Sequence, residues 1–337
     1  MIELLKKLCL ADGVSGNETT VAQIIIDEIK DYAEVKTDAL GNIIAFKKGK
    51  KTPSKKIMID AHTDEVGVII TGVTSEGFLK FSVVGGINPS ALMCKKVMIE
   101  GKTVGVIGAK PVHLCSGEEK ETPPKAENLY IDIGASTKEE ALKTVCLGDT
   151  ATFISEFVLM GEKTLKAKAL DDRVGCAVLI SMIKNYDEYD FYATFTVQEE
   201  VGCRGARTAA FSVDPDFAIC LEATTAADIA GVSDEDRVCS LGKGSAVSFM
   251  DRATVYDRTL YNAALSCKTP CQTKSAVTGG NNSGAVHLSK KGVRTIAISV
   301  PCRYIHTGSG VCNISDIENM EKLTKELCGK ICSGEIK

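Results

Sequence analysis

Apolar positions along the chain fall into two textures. From the start to about residue 67, and again from about residue 161 to the end, runs with helical spacing alternate with short, almost wholly apolar runs. The first ten residues predict a short amphipathic helix. After the turn GVSG, a second helix is predicted over residues 18–32, where Val21, Ile24, Ile25, Ile26 and Ile29 supply an apolar face. Strands are predicted over 42–46 and 56–60. The second of these, KIMID, is nearly continuous in its apolar character, as a strand covered on both faces requires. Downstream, a helix over 174–184, strands over 191–197, 217–221 and 296–300, and a final helix over 314–332 continue the alternation. Such alternation predicts an α/β fold.

Between these two stretches the texture changes to short β-like runs broken by glycine and proline: VGVIITGV, FLKFSVVGG, KKVMIE, KTVGVIGAKP and TATFISEFVLM. Helical patterns are scarce there, so residues 68–160 are expected to form a separate β-rich insertion. The polar segment 115–127, CSGEEKETPPKAE, is expected to be an exposed loop.

Charged residues interrupt the apolar pattern at recurring places. The strand over 191–197 delivers Glu199 and Glu200 into a glycine-containing turn. The strand over 56–60 runs into AHTDEVG, with His62 and Asp64 two apart. The strand over 217–221 ends at Glu222, His306 follows the strand over 296–300, and Asp171 and Asp172 precede a helix. In open α/β sheets ligands bind outside the carboxyl ends of the strands, so residues remote in sequence converge there. A carboxylate at the edge of an apolar core is costly without a cation or hydrogen-bond donors. Two histidines and several carboxylates suit zinc or cobalt, and they exceed what one four-coordinate catalytic ion takes. Two ions are therefore expected, bridged by a carboxylate and sharing a hydroxide, which describes a metal-assisted hydrolase. The alternative, unrelated acids solvated at strand ends, leaves the recurrence unexplained. Of the four histidines, His113 falls in the β-rich insertion and His287 on a predicted helix, and both are expected to be structural.

Composition narrows the remaining classes. The 337 residues are 44% hydrophobic and 25% charged, enough for a full core. A net charge of −4, without a basic run interleaved with aromatics, gives no field for a nucleic-acid partner. No apolar run approaches the length of a membrane span, and the N-terminal segment lacks a signal-peptide pattern, so a cytoplasmic protein without a membrane partner is expected. The fourteen cysteines are scattered, without a CxxC pair, and read as free, mostly buried thiols; Cys328 and Cys332 pack four apart on the final helix. Cys203 either lines the site beside Glu199 or is structural.

On these residues the chain resembles the tetrahedral aminopeptidase family, also labelled glutamyl or deblocking aminopeptidases and sometimes endoglucanases. The resemblance covers nearly the whole chain through GVSGNE at Gly13, TDALGN at Thr37, AHTDEVG at Ala61, GVIGAKPVHL at Gly105, LYIDIGA at Leu129, ALDDRVG at Ala169, QEEVGCRGA at Gln198 and RYIH at Arg303. It implies a three-layer α/β/α catalytic domain from residues 1–67 and 161–337, with residues 68–160 as a barrel-like dimerisation domain. It also implies two divalent ions per subunit, zinc or cobalt with manganese as a third option. Asp171 would bridge them, His62 and Glu222 completing one site and Glu200 and His306 the other. Glu199 would be the general base, Asp64 would hold the imidazole of His62, and the Asp171–Asp172 peptide bond would be cis. The implied activity is removal of N-terminal residues from short peptides, by dimers assembled into a hollow tetrahedron of twelve subunits.

As neighbours on extended backbone, Glu199 and Glu200 are expected to point opposite ways and so divide base from ligand. There are three departures from the family pattern. Glu222 stands where many relatives carry aspartate. Asn282, in GGNNSGA, stands in place of an acid, and Thr307 and Gly308 follow His306 where serine and proline are usual. The last two are expected to affect the substrate pocket or its loops, and the side-chain preference, whether acidic, basic or apolar, stays open. The rival readings are a glycoside hydrolase, a two-metal carboxypeptidase or deacylase, and a non-catalytic assembly or binding protein. The first needs two carboxylates roughly 5 to 9.5 Å apart across a sugar and gives the histidines no role.

Overall fold

The computed structural model describes residues 1–336. Helices α1 (Ile2–Leu10) and α2 (Thr19–Ile29) lead into strands β1 (Glu34–Thr37), β2 (Ile43–Lys47) and β3 (Ile57–His62). Next come β4 (Gly67–Val73), β5 (Leu79–Val84), β6 (Lys96–Ile99), β7 (Thr103–Gly108), α3 (Gly117–Glu121), β8 (Tyr130–Asp132), α4 (Lys138–Ala141) and β9 (Thr150–Phe153). The six strands among them close into a barrel in the order β4-β5-β8-β7-β6-β9. Its own core is formed by Val68, Ile70, Leu79, Val97, Ile99, Ile107 and Ile131. The expected loop over 115–127 therefore contains one short helix, α3.

The chain then adds β10 (Val158–Met160), β11 (Thr164–Ala167), α5 (Leu170–Asn185), β12 (Phe191–Thr196), α6 (Arg204–Val213), β13 (Phe217–Thr225) and β14 (Ser245–Ser248). It ends with α7 (Arg258–Leu265), β15 (Cys271–Lys274), α8 (Ser283–Val286), β16 (Arg294–Arg303), β17 (Gly310–Asn313) and α9 (Ile314–Cys332). The apolar run TATFISEFVLM is thus shared: β9 closes the barrel, whereas β10 is the edge strand of an 11-stranded sheet. That sheet runs β1-β2-β12-β3-β13-β16-β17-β11-β10, with β14 joining β16 to β15. At its centre β12, β3, β13 and β16 are parallel.

The central strands read as continuously apolar because both faces are covered. Ile57, Ile59, Ala61, Phe217, Ile219 and Leu221 face the large core with α1, α2, α5 and α9. Met58, Ala218 and Cys220 face the other way, against Ala206, Ala210 and Val213 of α6 and Val286 of α8. The expected α/β organisation and a β-rich barrel are therefore borne out, whereas residues 158–160, expected in the insertion, pair as β10 with β11 in the large sheet. Register does the rest. Asp60 of β3 lies opposite Cys220 of β13, so His62 and Glu222, each two residues further along, project from the same sheet face.

Candidate active site

Five segments, carrying His62, Asp171, Glu199 with Glu200, Glu222 and His306, converge near the carboxyl ends of these strands, and a buried aspartate holds the Glu199–Glu200 turn. Asp64 is fully buried; its Oδ1 accepts the Glu199 N–H (2.9 Å), and its Oδ2 accepts the Glu200 N–H (3.1 Å) and the Ser15 hydroxyl (2.6 Å). Glu18, also buried, accepts the N–H groups of Gly16 (2.8 Å) and Gln198 (3.1 Å). The backbone after β12 is thus curled around two carboxylates. Gln198 takes a left-handed φ of 57° and Cys203 one of 52°. Glu199 and Glu200 consequently lie in a turn, not on extended strand, and both line one cleft. The expectation that they point to opposite faces is corrected by this turn. Gly205 allows α6 to pack directly behind it, since a Cβ there would fall 2.4 Å from the Val197 carbonyl oxygen.

The turn's supports are in turn anchored. Glu65, next to Asp64, is buried with Lys168 (2.5 Å) and Arg173 (3.6 Å), and Arg173 also donates to the Leu8 carbonyl at the end of α1 (2.6 Å). Removing one member of such a buried ion group strands the others, at a cost of about 3 to 5 kcal/mol. The N-terminal segment is therefore part of the site's scaffold.

Asp171 and Asp172 open α5 in non-helical conformations, after the left-handed Ala169 (φ 53°), and the peptide bond between them is cis. The two carboxylates do different things. Asp172 accepts backbone N–H groups on both oxygens, from His62 (3.3 Å) and Gly175 (3.0 Å). Asp171 places Oδ1 3.1 Å from His62 Nε2 and Oδ2 3.3 Å from His306 Nε2. Each histidine is oriented from its far nitrogen: His62 Nδ1 lies 3.1 Å from the Asp64 carbonyl and 3.4 Å from its carboxylate, and His306 Nδ1 lies 2.9 Å from the Gly86 carbonyl. Glu222 Oε2 is 3.7 Å from His62 Nε2, and Glu200 Oε1 is 3.3 Å from His306 Nε2.

Two groups of potential metal ligands result, Asp171 with Glu200 and His306, and His62 with Glu222 and Asp172; within each, the ligand atoms lie within 4.8 Å of one another. Asp172 is the poorer donor of its group because backbone N–H groups already occupy it, whereas Asp171 faces both histidines. Glu200 Oε1 and Glu222 Oε1 are buried and accept no hydrogen bond, which is the state of ligands that await a cation.

In the metal-free chain, protons take the place of that cation. Burial, reinforced by Asp171, pushes the Glu200 carboxyl up to about 8, and burial likewise raises Glu199 to about 7 and Glu222 well above the carboxylate range. Burial opposes the charge on His306, but Asp171 and Glu200 outweigh it and hold the ring at about 9. For Asp171, hydrogen bonds from His306 and His62 outweigh burial and keep its carboxyl below the usual range. The folded values for Glu200 and His306 exceed ordinary ones. Their stabilisation is therefore complete below the unfolded values and is lost as pH rises through about 8 and about 9. The metal-free protein is expected to lose thermal stability between pH 5 and 9, and divalent ions to release protons on binding at pH 7. Calorimetry in buffers of different ionisation heat measures that release; none at pH 7 would contradict these protonation states.

The cleft beside the cluster has a volume of about 980 Å³. Cys203 lines it, and its thiol, kept protonated by burial, points at Glu199 Oε1 (3.4 Å). β13 continues three residues beyond Glu222, so that acid lies within a strand and not at its end. Asn282 is fully buried and donates to Asp60 (2.8 Å) and Thr196 (2.8 Å) beneath His62. It belongs to the core network below the site, which corrects its expected place in the substrate pocket. Thr307 folds back on the Tyr304 carbonyl (2.7 Å), and Gly308 packs on Phe153 of the barrel, so this loop closes against β9 and does not line the large cleft. His113 is exposed in the barrel region and His287 is bonded to the Ser283 carbonyl (2.7 Å), both away from the cluster. Sequence reasoning misses Ser15, Glu18 and Gly86. GVSGNE contains the first two, but nothing in its spacing shows what they hold.

Residues 41–323 match the M42 glutamyl aminopeptidase family. A putative aminopeptidase of Acetivibrio thermocellus is 42% identical over 333 residues, 97% of this chain and 98% of its own length. Among solved structures, an aminopeptidase from the archaeon Desulfurococcus kamchatkensis superposes with a TM-score of 0.91 at 33% identity, over 96% of this chain and 93% of that one. The TET1 peptidase of Pyrococcus horikoshii, which can assemble into a tetrahedron or a large octahedral shell, does so with 0.84 at 35% identity, over 97% and 98%.

Proposed function

The chain belongs to the M42 glutamyl aminopeptidase family and is a peptidase, and on that premise we propose that it removes N-terminal residues from short peptides at two divalent ions. Asp171, which faces both histidines, would be shared between the two ions, His62 and Glu222 would hold one, and Glu200 and His306 would hold the other. Zinc or cobalt, or manganese, bound there would polarise the scissile carbonyl and bring the pKa of water towards about 7. The chain's own residues do the remainder. Asp64 and Gly86 fix the imidazoles so that Nε2 of each faces the centre. Glu199, which lines the cleft beside the ligands, takes the proton of the attacking water on its carboxylate and delivers it to the leaving amine.

The observation that carries this reading is Asp171 with one oxygen on each histidine, beside buried carboxylate oxygens that accept no hydrogen bond. A glycoside hydrolase leaves both histidines without work, and a non-catalytic protein gives no reason to bury carboxylate oxygens that accept no hydrogen bond. The test is to add cobalt, zinc or manganese to metal-free protein and assay aminoacyl amides, their N-acetylated forms and a cellulose oligomer. Turnover is expected only with metal and only for substrates with a free amine. Cleavage of the acetylated forms, or glycoside hydrolysis that survives chelation, would reject the reading.

Assembly into dimers and a tetrahedral dodecamer is part of the proposal. Support comes from exposed apolar side chains on and beside the barrel, Val104, Val106, Val112 and Leu114, and from the edge strand β10, whose Val158, Leu159 and Met160 are all exposed. A cytoplasmic location fits fourteen cysteines that all remain free thiols, and no helix among the described residues is long and apolar enough to cross a membrane.

A further inference from the structure

Cys203 breaks two local rules at once. It occupies the N-cap of α6, where serine, threonine, aspartate or asparagine ordinarily bonds to the helix's free N–H groups, yet its side chain makes no such bond. It also takes the left-handed conformation (φ 52°, ψ 38°), directly after Gly202 at φ 116°, where glycine is at ease and a Cβ adds strain. Residues that break such rules cluster at functional sites. The turn explains where the side chain goes. The Gly202 and Cys203 N–H groups both donate to the Glu199 carbonyl (2.9 Å each), and those of Arg204 and Gly205 donate to the carbonyls of Gln198 (3.1 Å) and Val197 (3.0 Å). The chain thus doubles back on Glu199, and the Cys203 thiol donates to its Oε1 (3.4 Å) at the wall of the cleft. Other thiols near the cluster serve the backbone: Cys176 donates to the His62 carbonyl (3.1 Å) and Cys302 to that of Arg303 (3.4 Å). Among the described residues the Glu199 carboxylate has no second hydrogen-bond donor. Asp64 fixes the backbone end of Glu199 (2.9 Å), and the thiol fixes its tip.

Resting on Glu199 as the base, we propose that Cys203 is its positioning residue: the thiol holds Oε1, selects one rotamer of a flexible side chain, and leaves Oε2 to face the attacking water. A thiol suits this task. It is a weak, neutral donor, so it orients the carboxylate and takes little from its affinity for a proton, whereas an ammonium or guanidinium would lower that affinity. A base already in the productive orientation gains rate through kcat and not through substrate binding.

The experiment compares metal-loaded wild type, Cys203→Gly, Cys203→Ala, Cys203→Ser and Glu199→Gln by steady-state kinetics on an aminoacyl amide, by metal analysis and by melting temperature. Cys203→Gly and Cys203→Ala are expected to lower kcat by about tenfold, the scale of one lost hydrogen bond, with KM and metal content unchanged. The melting temperature of Cys203→Gly should hold, because relief of the left-handed strain offsets the freedom glycine adds to the unfolded chain. Activity then falls without stability, which a merely structural cysteine does not produce. Cys203→Ser, whose hydroxyl also donates, should recover most of the rate lost in Cys203→Ala. On a Glu199→Gln background Cys203→Ala should have no further effect. Should Cys203→Ala fail to fold, Cys203→Gly reads the same quantities. An unchanged kcat in Cys203→Gly would overturn the proposal. So would Cys203→Ser no faster than Cys203→Ala, a rate loss matched by loss of metal, or a loss that persists on the Glu199→Gln background. Failure of the base reading looks different: Glu199→Gln keeps its turnover, and this proposal falls with it. An impaired Glu199→Gln beside unimpaired Cys203 variants strikes this proposal alone.

Discussion

Replacing Glu199 by Gln is expected to abolish most turnover, by about 100- to 10,000-fold in kcat, while the protein keeps its full metal content. The substitution preserves the side chain's shape and its hydrogen-bonding length but removes the carboxylate that accepts a proton. The backbone N–H of Glu199 would still be held by Asp64 Oδ1 (2.9 Å), and its side chain would still lie beside Cys203. Neither the turn nor the neighbouring Glu200 should move. Metal analysis after dialysis, with steady-state kinetics on an aminoacyl amide, separates the outcomes. Unchanged kcat would remove Glu199 as base, and loss of metal would make it a ligand.

Asp171→Ala should have the larger effect on the metal itself. Its two oxygens lie 3.1 Å from His62 Nε2 and 3.3 Å from His306 Nε2, so one side chain serves both proposed sites. Its removal is expected to take both ions and all measurable turnover. Asp171→Asn, which keeps one carbonyl oxygen, should retain part of the metal. The protein should still fold, since Asp172 and not Asp171 accepts the backbone N–H groups of His62 and Gly175. Retention of two ions in Asp171→Ala would refute a bridging role, and a lowered melting temperature of the metal-free variant would show that Asp171 also supports the fold.

The residues of the candidate site were legible because strands covered on both faces have a distinctive apolar signature, which makes the acids and histidines at their ends conspicuous. His62, Glu199, Glu200 and His306 stand out this way, and Glu222 does so even though its strand runs on to Thr225. The supports were not legible. Asp64 holds the Glu199–Glu200 turn across 135 residues of chain, and Ser15 reaches Asp64 across 49. Such contacts follow from tertiary packing, and no periodicity encodes them. Asn282 misled for a related reason: its motif is rich in glycine and polar residues, like a pocket loop, yet its amide is spent on the buried Asp60. The opposed directions expected of Glu199 and Glu200 assumed extended backbone, and the left-handed Gln198 removes that assumption.

Gly86 lies just past β5 of the barrel, and its contribution to the cluster is a main-chain carbonyl. No substitution can delete that acceptor; only displacement of the barrel can. If His306 holds an ion as proposed, barrel placement and metal affinity are thermodynamically linked, and the linkage runs both ways. Anything that clamps the barrel, a neighbouring subunit included, tightens the ion at His306, and loading the ion stiffens the barrel's seat on the sheet. On that reading the barrel is not a detachable appendage, and assembly and catalytic competence would share a common equilibrium.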